Sequence, residues 1–291
     1  MSTSKKIRSK INSVKNTRKI TRAMQMVATS KMRKTQNKMK QARPYATNIR
    51  RVMANLAALH SYAKNITPFL RSDMTKAKKT GLILITSDKG LCGGLNANAI
   101  KLFYEKIKQF TNDGIAVEVC VIGAKAYNAA IKINSNIVSM AAGLGDEPKM
   151  AKIIGPISDL LNKFRDEELD SIHIIYSHFV NTMKQEATYE QLLPLTEKDL
   201  QLEQKSLADY IYEPSATVVL DELIRRYIES VVYQCLADNM ASEQASRMIA
   251  MKAATDNAAE AINQLKLVYD KSRQAAITKE LAEITAGSAA V

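Results

Sequence analysis

From residue 4 to about 59 the apolar positions are sparse and fall three or four apart. They run Ile7, Ile11, Val14, then Ile20, Met24, Val27, with Met32 and Met39 beyond. That spacing marks one face of a helix. No Gly occurs before Gly81, Ser4 stands where it can cap the start, and Pro44 is the only Pro before Pro68. The pattern predicts one long helix that loses a backbone donor at Pro44, a place where it can bend. Its apolar stripe is too thin and too interrupted by Lys and Arg for a core helix. It suits a two-helix seam.

The other end of the chain mirrors this. After Pro214 there is no Pro, and no Gly until Gly287. Residues 215–284 read as a single helix of about 105 Å at ~1.5 Å per residue. Its stripe runs Leu220, Ile224, Tyr227, Val231, Cys235, then Ala245, Met248, Thr255, Ala259, Ile262, Leu265 and Tyr269. The small residues in its second half admit a partner helix closely, and the N-terminal helix is the economical partner.

Between the two helices the texture changes. Gly81–Thr86, Ile115–Ile122 and Ser171–Phe179 have the composition of buried strands, and helical patterns cover about Ala97–Phe110, Ala124–Ile131 and Met150–Phe164. Residues 181–213 predict strand and loop around Leu192–Leu195. Strands alternating with helices predict a largely parallel sheet. The expected fold is therefore α/β: a long antiparallel coiled coil of N- and C-terminal helices plus a Rossmann-like α/β domain. The expected division is a long helix over 1–60, the Rossmann-like domain over 75–212, and a second long helix over 213–291.

Composition fits this picture and charge sharpens it. With 46% hydrophobic and 24% charged residues among 291, the chain is globular; 5% aromatics and no Trp leave few stacking platforms. The formal net charge is +13, but residues 1–72 hold 18 Lys and Arg and no acid, leaving 24 basic against 29 acidic groups elsewhere. An acid-free arm of that length points to an anionic partner: nucleic acid, a membrane surface, or acidic protein. Its length without a cleavage-like change argues for mature structure over a transit peptide. No apolar run approaches membrane-spanning length.

Candidate chemistry is thin. Cys92, Cys120 and Cys235 contain no C-x-x-C and read as structural thiols in a reducing compartment. His173 and His178 are five apart in a predicted strand, so alternation sends them to opposite faces, away from a shared metal. Thr86-Ser-Asp-Lys-Gly-Leu-Cys-Gly-Gly-Leu-Asn96 lies between a strand and a helix, the place of a phosphate cradle. It matches neither G-x-x-x-x-G-K-[ST] nor G-x-G-x-x-G, and a tight structural turn is the favoured reading. No nucleophile elbow, H-E-x-x-H or paired carboxylate stands out. No cofactor or metal is expected, and the balance favours a mechanical role over catalysis.

Three separated blocks carry a family resemblance. Ile7-Arg-Ser-Lys-Ile11, Ser13–Thr17, Lys19-Ile-Thr21, Ala23-Met-Gln-Met-Val-Ala28 and Ser30-Lys-Met-Arg33 resemble the start of F-type ATP synthase gamma subunits. Ala241–Met248, Ala250–Asn257 and Arg273–Leu281 resemble their end, and Asp88–Asn96 and Gln191–Leu195 fit between. Asp270 and Ser288 depart from the family's usual Asn and Ala.

The resemblance implies the central rotor stalk of a bacterial-type, proton-translocating enzyme. The paired helices would be a shaft within three alpha and three beta subunits, and the α/β domain would lie against epsilon and the c-ring. Rotation would couple the c-ring to ATP synthesis and hydrolysis in beta and regulate both ATPase activity and proton flow. The chain itself would not be catalytic. It implies a peripheral protein on the cytoplasmic side of the cell inner membrane, with the membrane touched only through partner subunits and no nucleic acid bound. It also implies partner contacts: Met24 near the acidic lever loops of beta, Arg273 and Gln274 at its catch loops with Thr278 and Glu280 in the same region, Arg247 as a further beta contact, and Glu213 near the foot that meets the c subunits. Two rival readings remain at this stage: a basic coiled coil gripping nucleic acid, with salt-steep binding, and a nucleotide-using α/β enzyme with helical arms.

Overall fold

The computed structural model describes residues 2–59, 78–145, 150–194 and 216–289. Among these described residues five helices and five strands follow in chain order: α1 Ser2–Leu59, β1 Lys79–Ile85, α2 Leu95–Asn112, β2 Ala116–Ile122, α3 Ala124–Lys132, β3 Asn136–Ala141, α4 Met150–Arg165, β4 Ser171–Phe179, β5 Gln185–Leu193 and α5 Ala216–Ala289. The chain packs as two units, residues 30–246 and residues 1–29 with 247–291, so each long helix contributes to both. α1 is helical through Pro44.

The larger unit is built on a five-stranded sheet of order β3-β2-β1-β4-β5. β1, β2, β3 and β4 run parallel, and β5 returns antiparallel to β4. Because successive strand residues face opposite ways, one apolar run fills two cores. Leu82, Leu84, Val119, Val121 and Ile175 pack with Ala99 and Phe103 of α2 and Ala126 and Ala130 of α3. Ile83, Ile85, Ile122, Ile172 and Ile174 pack on the other face with Ile153, Ile157 and Leu160 of α4 and Ile224, Ile228, Val232 and Leu236 of α5. Burying each such side chain stabilises the fold by ~1.5–3 kcal/mol.

Short helices need firm ends. α2 finishes with Gly114 at φ +72, Ile115 N–H donating to the Phe110 carbonyl (2.8 Å) and Gly114 N–H to Thr111 (3.1 Å). These bonds satisfy carbonyls that the helix leaves open. α3 and α4 end the same way with Asn134 and Glu167 at positive φ. Inside α4 the Pro156 carbonyl accepts the Ser139 hydroxyl (2.7 Å) and faces the Cys120 thiol (3.8 Å), bracing that helix to β2 and β3.

β3 is an element the sequence pattern did not show. The strand over 171–179 and the alternation of its histidines are as expected. His173 faces Phe110 of α2 and Tyr189, whereas the His178 imidazole meets Asp238 of α5 at 2.8 Å.

In the smaller unit the buried seam positions of α1 are Ile11, Thr21 and Ala28, and those of α5 are Met251, Thr255, Ala258 and Ile262, with Arg247 buried at the start of this stretch of α5. Ile7 and Val14, and Leu265 and Tyr269, extend the two rows half-buried. The spacings alternate three and four, which is a heptad seam. One expectation is corrected here. Ile20 and Val27 are 60% and 55% exposed, and the seam runs through Thr21 and Ala28 beside them. A stripe held to a seam repeats every 3.5 residues, so the larger Ile and Val nearby lost their place to a threonine and an alanine in register.

Candidate functional site: the paired helices and the loop at 86–96

The two helices of the smaller unit meet where the Thr21 and Thr255 hydroxyls lie 2.8 Å apart. The unit ends at Thr29 on α1 and begins at Arg247 on α5, each eight residues from that pair. The helices therefore run antiparallel. Thr255 also reaches the Met251 carbonyl (2.8 Å) and Thr21 the Arg18 carbonyl (3.1 Å). Two hydroxyl protons serve three contacts, and the shorter pair is satisfied when Thr255 donates to Met251 and Thr21 donates to Thr255.

In this register the N-terminus of α1 lies opposite the middle two hundred and seventies of α5. From Ile277 to Ala286 every residue of α5 is exposed, including Leu281 at 59% and Ile284 at 68%. Arg273, Gln274, Thr278 and Glu280 all stand exposed on these last turns, with the Thr278 hydroxyl returned to the Gln274 carbonyl at 3.0 Å. Met24 is half-buried on α1, and Arg247 is 9% exposed. Met24 and Arg273 lie about 30 Å apart along the paired helices at ~1.5 Å per residue. The predicted positions thus form separate bands on a rod and no shared pocket. Glu213 lies outside the described residues.

The electrostatics of this surface are one-sided. Lys5, Lys6, Arg8, Lys10, Lys15, Arg18, Lys19 and Arg22 are all exposed on a helix that carries no carboxylate. The surface is not wholly polar, however. Ile20, Met26 and Val27 on α1 and Leu267, Val268 and Ile277 on α5 project among the charges. The sequence reading of a Lys- and Arg-rich face missed this apolar component because it assigned Ile20 and Val27 to the seam.

The loop after β1 is a structural turn. Ser87 N–H donates to Asn96 Oδ1 (3.1 Å), Asn96 Nδ2 to Ser87 Oγ (2.7 Å), and Ser87 Oγ to the Lys89 carbonyl (2.6 Å). Asp88 Oδ1 accepts the Ala124 N–H (3.0 Å) and Thr86 Oγ1 accepts that of Ala126 (2.7 Å). The open donors at the start of α3, the helix after β2, are thus satisfied by this loop. Leu91 is held at φ +62 with its side chain 64% exposed. Cys92, Cys120 and Cys235 are buried free thiols; burial pushes Cys120 up to about 11 and raises Cys235, so both stay protonated and unreactive. Among the described residues no group of three His, Cys, Asp or Glu gathers as a metal site, and no helix is long and apolar enough to cross a membrane.

The ATP synthase family model matches residues 3–291. The chain is 56% identical over 291 residues to the ATP synthase gamma chain of Chromobacterium violaceum, and 53% identical over 294 to that of Neisseria meningitidis serogroup C, with 100% of each chain covered. Among solved structures it resembles the central stalk and c-ring of Tetrahymena thermophila mitochondrial ATP synthase (TM-score 0.63, 27% identity, 81% of this chain and 99% of that one). The fold also matches a chain of the Euglena gracilis mitochondrial enzyme in rotational state 3, with TM-score 0.69 at 20% identity over 99% of this chain and 94% of that one.

Proposed function

The chain belongs to the ATP synthase gamma-chain family, and from that membership we propose how its surface divides the work of a rotor. It is the central-stalk subunit of an F-type ATP synthase, assembled with alpha and beta subunits and the c-ring, and catalysis resides in beta. The observation that carries the mechanical reading is the smaller unit. It is a two-helix rod whose last turns are exposed on every side and whose α1 face carries basic side chains and no carboxylate.

A shaft must not bind one dwell position too tightly. Polar contacts exchange with water at small net cost, typically ~1 kcal/mol, so a basic surface is released and re-engaged readily. Coupling then requires that the sleeve's open and closed conformations differ in their contact with the shaft. In this reading the Lys and Arg row of α1 faces acidic loops of beta, with Met24, Ile20 and Val27 as an apolar facet inside that row. Arg273, Gln274, Thr278 and Glu280 engage the sleeve nearer the end of α5, Arg247 makes a further beta contact, and Glu213 belongs to the foot. Residues 1–60 and 213–291 are the shaft helices and 75–212 the Rossmann-like domain, docked near epsilon and the c-ring. The complex is membrane-associated; this subunit sits peripherally at the cell inner membrane on the cytoplasmic side.

Met24→Lys tests the facet. A further positive charge among apolar neighbours is expected to lower proton pumping per ATP hydrolysed in inverted membrane vesicles while leaving the amount of assembled complex near that of the parent. Equal pumping per ATP in variant and parent would overturn the placement of Met24 at the coupling surface.

A further inference from the structure

Within the larger unit, α5 changes its way of packing partway along. From Ile224 to Leu236 it lies in the apolar core on the sheet. Over the next turns the large apolar side chains give way to the small Ala237, Ala241 and Ala245, and polar residues share the buried face: Asp238, Asn239 and Ser242 are 2%, 1% and 0% exposed, with Ser246 half-buried beyond them. These side chains all reach the sheet and its loop. Asn239 Oδ1 accepts the Ser177 N–H (3.1 Å), Ser242 Oγ donates to the Ser177 carbonyl (2.9 Å), and Ser246 Oγ donates to the Cys92 carbonyl (2.6 Å). His178 Nδ1 adds its contact with Asp238 Oδ2 at 2.8 Å.

Strand topology explains why Ser177 is available. β1 pairs with β4 only as far as Leu84 against Ile175, whereas on its other side its ladder with β2 continues through Thr86 N–H to the Ile122 carbonyl (2.8 Å). On its other side Ser177 stands opposite Ala187 of β5. In an antiparallel pair a residue directs both its N–H and its C=O to the same side. Ser177 turns both toward the place β1 has vacated, and two side chains of α5 fill it. Asn239 acts as a strand carbonyl would and Ser242 as a strand N–H would. Gly93, whose added Cβ would lie 3.3 Å from Ser246 Oγ, keeps the loop close enough for the third bond.

We propose that Asn239 and Ser242, with Ser246, are the grip by which the α/β domain holds the shaft helix against torsion, and that they are positioning residues for coupling. Apolar burial is non-directional and lets a helix slide or turn in its groove. Hydrogen bonds to fixed backbone atoms are directional, and they set the rotation and the axial position of α5 together. A load applied to the domain therefore passes into a helix that continues unbroken to Ala289. The inference rests on the rotor reading and extends it to residues whose bonds lie within the chain itself.

The test uses the whole complex in inverted membrane vesicles, with proton pumping per ATP hydrolysed measured against an increasing opposing proton gradient. An Asn239→Leu/Ser242→Ala double variant is expected to hydrolyse ATP unloaded at near the parent rate. Its pumping ratio should fall by about twofold or more at the steepest gradients, as bonds worth about a fivefold population change each are removed. A purely structural role would lower pumping and hydrolysis together with the amount of complex and leave the ratio unmoved. A double variant with the parent ratio at every gradient would overturn the proposal. Should the double variant not enter the complex, Ser242→Ala alone carries the same test. A parent complex that pumped no protons on ATP would sink the rotor reading itself.

Discussion

Gly123→Ala is expected to destabilise the α/β unit by about 3–5 kcal/mol, enough to remove most of a domain's margin. Gly123 sits at φ +101, ψ 144 just before α3, a region essentially closed to other residues. A Cβ there would stand 2.3 Å from the Thr86 carbonyl oxygen and 2.9 Å from Thr86 Oγ1. The backbone of Thr86 cannot retreat, since its N–H is bound to Ile122 and its hydroxyl receives the Ala126 N–H. Gly123 N–H is itself bound to the Ala141 carbonyl at 2.8 Å, so the β1, β2 and β3 ends are fixed through this one residue. Gly90→Ala in the neighbouring loop is the control, because nothing lies within 4 Å of its added Cβ; it is expected to change stability by less than about 0.5 kcal/mol. Denaturant midpoints of the purified variants measure both, and a Gly123→Ala midpoint equal to that of Gly90→Ala would refute the argument.

Acid is expected to destabilise the same unit through His173. Its imidazole is buried between the rings of Phe110 and Tyr189, with Nε2 at 3.1 Å from Ser171 Oγ and Nδ1 without a partner. Burial, helped by the positive charge of Lys106, pushes it down from 6.5 to about 4. The folded state therefore favours the neutral ring. The stabilisation is fully present above about pH 6.5, where the unfolded chain is also neutral, and is lost as pH falls through about 4. The difference corresponds to about 3 kcal/mol. His173→Phe keeps the ring contacts and leaves Ser171 Oγ bonded to Thr80 Oγ1 (2.7 Å), so it should flatten the stability profile between pH 7 and 4.5 while changing little at pH 7. Parallel pH profiles of the two proteins, measured by urea denaturation, would count against His173 as the cause.

How far the sequence could be read follows from how strong each local signal was. The strand at 171–179 was legible to its ends because Ile172, Ile174 and Ile175 lie in a sheet buried on both faces. β3 was not, because an edge strand of Asn-Ile-Val-Ser-Met-Ala is half solvated, and Asn134 makes its preceding turn where a Gly would have announced it. A strand within 181–213 was expected, but the start of β5 and the hairpin that joins it to β4 were hidden: the turn carries neither Gly nor Pro and is held by Asn181 Oδ1, which accepts the Met183 and Lys184 N–H groups at 2.8 and 2.9 Å.

The seam shows a subtler failure. Residue size favoured Ile20 and Val27, but the 3.5 repeat from Ile7 through Ile11 and Val14 leads to Thr21 and Ala28, and a count by sevens would have found them. At Ser177 no sequence signal exists at all. Which backbone groups a strand leaves open depends on where its neighbour ends, and that belongs to the sheet as a whole.

The central claim is that this chain turns as one rotor within the catalytic subunits. Cys92, Cys120 and Cys235 are all buried, so Met183→Cys, at a position 77% exposed on the β4–β5 turn, supplies a single reactive thiol for a bead or filament. With the catalytic subunits immobilised and ATP added, the account predicts unidirectional rotation of the tag in discrete dwells. Sustained ATP hydrolysis by the same tagged complexes with the tag fixed in orientation would contradict it.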